Sequence, residues 1–311
     1  MAITAPPPGI FKAYDIRGLY GEELDAETAH LIGRAYARVL ARIRGKETSE
    51  LQVGLGHDMR LSSPEMADGG NGMAGPMVGP LLDQLNLEVA TTFWEPDGNF
   101  PDREPNPMLE ENRRFIVERV QGEKVDLAIA WDGDADRCFF IDGEGTFCDG
   151  DFVCALLARA ALAKEPGATI LYDPRSSRAV PDTVAAAGGE SDLSRVGHAF
   201  FKIRMRETGA VFGGEVSGHY YFRHFYCADS GTMPALLMLE LVSREGRSLY
   251  DLMDEFRSKY FISGEINSEV ADQEGKMKEI AERYSDAEIS HLDGVSVDYS
   301  DWHFNVRPSN T

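Results

Sequence analysis

The sequence predicts a multidomain α/β protein with a largely parallel sheet, followed by a smaller α+β unit at the C-terminal end. Three observations carry this. The chain has 311 residues with 43% apolar content, enough for a substantial core and for more than one domain. Short apolar runs alternate with stretches of helical spacing through most of its length. After Ile262 that rhythm gives way to short alternating strands.

Taken in order, Asp25 is placed to cap a helix running to about Arg44, because Leu31, Ile32, Ala35, Tyr36, Val39 and Leu40 recur at helical intervals. "LQVGLG" at 51–56 reads as a buried strand. The Gly-rich turn "DGGNGMAG" at 68–75 precedes a helix ending near Leu85, and "LEVATTF" at 87–93 is strand-like. Asn106 and Pro107 suit the cap and first turn of a helix with Leu109, Ile116 and Val120 on its inner face. "KVDLAIAW" and "CFFID" read as strands, "DFVCALLARAALAK" as a helix, and "TILYD" at 169–173 starts a further strand–helix series. Beyond Ile262, a helix is expected around 273–284. A turn at Asp293–Gly294 is then followed by the antiparallel strands "VSVDYS" and "WHFNV". "GLGHDMRLSS" and "LYDPRSSRAV" share an order of Asp, Arg and paired serines after a strand. That order marks either a duplicated unit or chance.

The formal net charge of −21 argues against nucleic acid or an anionic membrane as partner, since both reward basic surface. An anionic small molecule would need a local cluster of basic groups. No segment approaches the ~20 apolar residues of a membrane helix, and "MAITAPPPGIF" lacks the pattern of a signal peptide. Cys138, Cys148, Cys154 and Cys227 form no C-x-x-C pair, as expected of reduced thiols in a cytoplasmic protein.

Candidate chemistry concentrates in five places. "IAWDGDADRC" puts Asp132, Asp134 and Asp136 at alternate positions, where a curled loop would converge three carboxylates on a hard cation such as Mg2+. The same spacing also suits a solvated acidic turn. An EF-hand is excluded, because Arg137 and Gly143 stand where that loop needs Gly and Glu. Arg137 would grip a phosphate beside the cation. "GGEVSGH" offers Glu215, Ser217 and His219 as acceptor, hydroxyl and imidazole for sugar hydroxyls, or else forms a plain polar turn. "GHAFFKIRMRETG" carries His198, Lys202, Arg204 and Arg206, some on the wet face of a helix. "RPSNT", with Arg307, Ser309, Asn310 and Thr311, is a phosphate cradle or a polar tail. Arg17, in "YDIRG", sits beside a glycine.

Seven segments in order, "KAYDIRG", "GHDMRLSSPEM", "DGGNGMAG", "DGDADR", "YDPRSSRA", "GHAFFKIRMRETGAVFGGEVSGH" and "RPSNT", resemble the α-D-phosphohexomutase family. The resemblance implies three related α/β units with mainly parallel mixed sheets around a central cleft, plus a smaller α+β domain. It implies domains at 1–67 (incomplete), 68–166 (metal-binding), 167–261 (sugar-recognising) and 262–311 (phosphate-binding, incomplete). The implied activity interconverts hexose 1-phosphates and 6-phosphates of mannose and/or glucose through a phosphoserine, with Mg2+ and a hexose 1,6-bisphosphate intermediate. By position, Asp132, Asp134 and Asp136 would hold Mg2+, with Arg137 alongside. Glu215, Ser217 and His219 would read the sugar. Arg307, Ser309, Asn310 and Thr311 would bind the unreacting phosphate. Tyr14, Arg17, His198 and Lys202 would line the cleft, with Arg17 and Lys202 near phosphate and His198 assisting proton movement. "GGEVSGH" is similar to the "GEMSGH" of mannose/glucose enzymes, with Val216 in place of Met. The family's Thr-Ala-Ser-His-Asn-Pro loop, which carries the phosphoserine, is absent between Arg60 and Asp68. Either the loop is deleted or the molecule holds residues not in this sequence.

Overall fold

In the computed structural model, the described residues are 6–11, 16–19, 21–50, 71–102 and 104–308. The strand expected at 51–56 lies outside them. Contacts divide the chain into two units, one of residues 1–106 with 131–135, the other of 107–130 with 136–311.

The first unit contains helices α1 (Ala26–Arg44) and α2 (Ala74–Leu82). Asp25 caps α1 as expected, its Oδ1 accepting the Thr28 N–H at 2.7 Å, and Gly45 ends the helix at φ 62°. In α2, Ala74, Val78 and Leu82 face inward. The helix lies close to Trp94, which meets Trp131 edge-on at 6.0 Å. Residues 87–93, expected as a strand, form none: Leu87 and Val89 are both over 40% exposed, and no ladder reaches them among the described residues. Apolar alternation without a partner strand leaves the backbone to water.

The second unit begins with α3 (Glu110–Glu123), three residues later than Pro107 suggested. The Arg113 guanidinium donates to the Met108 carbonyl at 2.7 Å, holding 107–108 as a turn ahead of the helix. Leu109 is therefore a partly exposed cap rather than an inner-face residue. Val120 packs with Ala130, Phe139 and Ile141 on the sheet of β1 (Leu127–Trp131), β2 (Cys138–Asp142) and β3 (Phe147–Cys148).

Helix α4 (Gly150–Lys164) is apolar around most of its circumference and is buried accordingly. It packs on α5 (Ala179–Ala186) and beside a five-stranded sheet. Those strands are β4 (Thr169–Tyr172), β5 (Glu190–Leu193), β6 (Phe212–Gly214), β7 (Tyr220–Phe222) and β8 (Ala228–Asp229), in the order β5-β4-β6-β7-β8. The sheet is mixed: β4 runs parallel to β5 and β6, while β7 and β8 are antiparallel additions. Successive strand residues face opposite sides. A Cβ on Gly213 would meet Phe201 of α6 (His198–Thr208), whereas one on Gly214 would meet Cys154 of α4. The sheet is thus the middle of three layers, with Leu171, Phe201, Met205 and Tyr221 forming the core on the α6 side.

Helices α7 (Thr232–Glu245) and α8 (Leu249–Arg257) complete this layer packing, with α4 against both. The C-terminal part holds α9 (Gln273–Arg283) and an antiparallel sheet of β9 (Glu288–Ser290), β10 (Val295–Asp298) and β11 (His303–Val306), in the order β11-β10-β9. The expected change to an antiparallel α+β pattern is therefore present, with β9 an extra strand.

Candidate functional site

The aspartate loop joins β1 to β2. Within this continuous five-residue stretch, Asp132, Asp134 and Asp136 each place a carboxylate oxygen within 4.8 Å of the others. Asp132 is 3% exposed, and Ala135 takes φ 59°, a left-handed conformation that sharpens the curl. Like charges at this range repel, and a hard divalent cation with oxygen ligands offsets that repulsion. The donor set fits Mg2+ on this ground. Arg137 Nε lies 3.8 Å from Asp136 Oδ1, a weaker counter-charge.

A backbone bridge joins Arg137 to His219 and brings in the second element, the tight turn between β6 and β7. Here Glu215 N–H donates to the His219 carbonyl at 2.9 Å and Gly218 N–H to the Glu215 carbonyl at 3.0 Å. Gly218 has φ 87° and lies against the Phe139 ring, so a side chain there would meet both backbone strain and a collision. Gly150, opening α4, lies against the Val216 carbonyl, where a Cβ would come within 2.2 Å.

Glu215 is 1% exposed. Its Oε1 accepts the Tyr221 hydroxyl at 2.5 Å and its Oε2 accepts the Gly197 N–H at 2.8 Å. Burial, reinforced by the Asp173 carboxylate, pushes the Glu215 carboxyl up to about 7, against the pull of Tyr221 and Arg175. Asp173 at the end of β4 accepts from Arg175 and from the Val216 N–H at 2.9 Å, and so pins the turn from below. Burial works against the Arg175 charge, but Asp173 and Glu215 outweigh it and hold the guanidinium firmly protonated.

Ser217 Oγ lies 3.1 Å from His219 Nδ1. Burial, then the charges of Arg137, His198, Lys202 and Arg175, hold the His219 imidazole neutral, well below its ordinary range. Its approaches to Asp136 at 3.8 Å and Glu215 at 3.9 Å are therefore dipolar contacts rather than ion pairs. A neutral imidazole beside a hydroxyl can both donate and accept, as recognition of sugar hydroxyls requires.

The third element is the first turn of α6. His198 Nδ1 and Lys202 Nζ are 3.3 Å apart, and Lys202 Nζ pairs with Asp229 Oδ1 at 2.9 Å. Asp136, His219 and Asp229 also bring ligand atoms within 4.8 Å of one another, so the three elements meet. Arg307, after β11, faces Asp293 at 3.3 Å. Arg17 belongs to the first unit, exposed, with its N–H on the Ile10 carbonyl at 2.8 Å. Tyr14, Ser309, Asn310 and Thr311 lie outside the described residues.

Sequence reasoning missed Tyr221, Asp173, Arg175 and Asp229 as parts of this arrangement. Asp173 and Arg175 stood in a quoted motif, "YDPRSSRA", whose polar residues directly follow a strand. Tyr221 and Asp229 carried no local signal.

Comparison with known proteins agrees with the architecture. Three phosphoglucomutase/phosphomannomutase alpha/beta/alpha domain families match in chain order: domain I at 8–69, domain II at 63–145 and domain III at 149–260. The chain is 46% identical over 248 residues to the phosphohexose mutases protein of Xanthomonas campestris pv. campestris, covering 79% of this chain and 55% of the relative. It is 42% identical over 249 residues to the phosphomannomutase of Escherichia coli K12, with 78% and 55% covered. It thus spans about half the length of the curated relatives it matches. A solved phosphoglucomutase/phosphomannomutase family protein from Burkholderia thailandensis superposes with TM-score 0.67 at 28% identity, covering 90% of this chain and 58% of that one. With its three domain signatures in chain order and its identity to these relatives, the chain belongs to the phosphoglucomutase/phosphomannomutase family.

Proposed function

We propose that this chain carries the metal-, sugar- and phosphate-binding parts of a phosphohexomutase that interconverts hexose 1-phosphates and 6-phosphates of mannose and/or glucose. The observation that carries the reading is the backbone bridge between Arg137 and His219, which sets the Glu215–His219 turn beside Asp136. A polar, neutral sugar-reading turn next to clustered carboxylates and cations is what a phosphorylated sugar requires within an acidic chain.

Asp132, Asp134 and Asp136 would hold Mg2+, which when bound supplies neutralisation of phosphoryl charge. Ser217 and His219 orient sugar hydroxyls, and the buried Glu215 fixes the turn that presents them. Arg137 and Lys202 draw the charge of the reacting phosphate, where catalysis is mainly positioning and electrostatics, and Arg17 is proposed as a further phosphate-binding residue. His198, 3.3 Å from Lys202, would assist proton movement. Arg307 with Ser309, Asn310 and Thr311 binds the distant phosphate, and binding energy spent there positions the reacting end. A hexose 1,6-bisphosphate serves as intermediate. The proposed domain boundaries follow 67, 166 and 261, and the proposed compartment is the cytoplasm, in keeping with four free, buried cysteines. No helix among the described residues is long and apolar enough to cross a membrane.

Incubation of the purified protein with mannose 1-phosphate or glucose 1-phosphate, Mg2+ and a catalytic amount of the bisphosphate is expected to yield the 6-phosphate. Absence of product from every hexose phosphate tried would remove the catalytic reading. A second reading, a sugar-phosphate-binding protein without turnover, is favoured by the missing phosphoserine loop between Arg60 and Asp68. It predicts saturable binding of the same sugars and no conversion.

A further inference from the structure

Two neighbouring peptide N–H groups, those of Val196 and Gly197, are each held by a different carboxylate just before α6 begins. Gly197 N–H donates to Glu215 Oε2 at 2.8 Å, from the sugar-reading turn. Val196 N–H donates to Asp293 Oδ2 at 2.9 Å, from the turn that leads into β10. Asp293 is 7% exposed and is built in from several sides. Its carbonyl accepts from Asn305 Nδ2 at 2.8 Å. The next residue, Gly294, has φ 69° and lets the opposing strand close in, since a Cβ there would meet the Val306 carbonyl at 2.1 Å and the Arg307 Cα at 2.7 Å. The hairpin register, Val295 opposite Val306, therefore delivers Arg307 to the face of the Asp293 carboxylate.

The contact with Arg307 is one-sided. Its Nε lies 3.3 Å from the same Oδ2 that holds Val196, and Nε makes no hydrogen bond of proper geometry. Asp293 thus restrains the guanidinium by charge along its Nε edge. A carboxylate that engages this edge alone leaves the fork of terminal nitrogens for bidentate contact with an anion.

We propose that Asp293 is the positioning residue for Arg307. It holds the guanidinium ready for the phosphate of a sugar phosphate and, through Val196 N–H, ties that phosphate contact to the start of α6, where His198 and Lys202 stand. This rests on the sugar-phosphate reading of the site. Asp293 gains nothing from approaching an anion itself, so its value lies in order imposed on a flexible side chain before the ligand arrives.

The test is a mutant cycle in the full chain, read by calorimetric binding of glucose 6-phosphate and of inorganic phosphate. Asp293→Asn keeps an oxygen for Val196 N–H and removes the charge that restrains Arg307. It is expected to weaken both ligands roughly tenfold while the melting temperature and Mg2+ affinity stay as in the parent. Arg307→Ala is expected to weaken them at least as much, and Asp293→Asn added to Arg307→Ala is expected to have no further effect. If Arg307→Ala weakens binding but Asp293→Asn leaves it unchanged or tightens it, the inference is overturned and the sugar-phosphate reading stands. If the effects of the two substitutions simply add, Asp293 acts on the fold and the inference is likewise overturned. If the parent chain binds neither ligand, the sugar-phosphate reading itself fails, and with it this inference.

Discussion

The Tyr221 hydroxyl donates to Glu215 Oε1 at 2.5 Å inside the protein, and the Tyr221 ring lies nearly parallel to those of Phe201 and His219. The bond fixes a carboxylate that also anchors the start of α6, so one phenol orders two elements of the site. Tyr221→Phe keeps the stacking and removes the donor. A buried acceptor left without its partner costs about 1–3 kcal/mol. The expected outcome is a fall in chemical-denaturation stability of that size, together with weaker binding of glucose 6-phosphate. An unchanged midpoint and affinity would contradict the role given to this bond.

Stability is expected to fall as pH rises through neutrality. Glu215 is raised from 4.5 to about 7 and, with Asp151 raised from 3.8 to about 6, is buried. In each case burial is the main cause. The folded chain therefore keeps protons that the unfolded chain has released, so this contribution is fully present below the unfolded values and is lost as pH passes the folded ones. For Glu215 the difference corresponds to about 3 kcal/mol. Melting temperatures measured across this window should decline with rising pH, and Glu215→Gln should flatten the decline. A profile that rises over the same range would be inconsistent with a protonated Glu215.

Ala135 adopts φ 59° at 3% exposure, within the aspartate loop. A left-handed conformation costs an L-residue roughly 1–2 kcal/mol, and glycine avoids most of it while adding unfolded-state entropy worth about 0.4–1 kcal/mol. Ala135→Gly is expected to leave the melting temperature unchanged or slightly higher. Ala135→Val, β-branched at the same angles, is expected to lower it clearly. The two variants measured side by side separate backbone strain from simple loss of packing.

Mg2+ affinity should depend on the loop carboxylates. Asp134→Asn removes one charged ligand without changing side-chain size, and calorimetric titration with Mg2+ is expected to show at least tenfold weaker binding. Equal affinity in the variant and the parent would place the cation elsewhere.

Gly150 is expected to tolerate no side chain. A Cβ there would lie 2.2 Å from the Val216 carbonyl, a backbone atom that can move only with the whole turn. Gly150→Ala should therefore weaken glucose 6-phosphate binding and lower stability by about 1–3 kcal/mol through overpacking. Binding titrations and denaturation curves on the same sample check both.

Much of this molecule was legible before its coordinates. The Asp25-capped helix, the mostly apolar α4 and the antiparallel C-terminal strands each follow from patterns contained within one segment. What stayed hidden depends on distant pairing. Asp173 reaches Val216 across 43 residues, and Lys202 finds Asp229 only because β8 adds to the sheet beside β7. The run at 87–93 misled for the same reason in reverse. Its alternation is that of a strand, yet among the described residues no neighbour pairs with it. Helix α3 began late because Arg113 claimed the Met108 carbonyl, a competition that a proline signal does not encode.

The hairpin turn between β6 and β7 has a consequence for how such proteins diversify. Its span is locked by two cross-turn amide bonds and by a glycine that admits no side chain, so insertions or deletions would dismantle the surrounding layers. Side-chain exchange at Val216 and Ser217 changes no backbone contact. If this turn reads the sugar as proposed, change in it would come by point replacement at a rigid fingertip, with the palm of the sheet inherited intact.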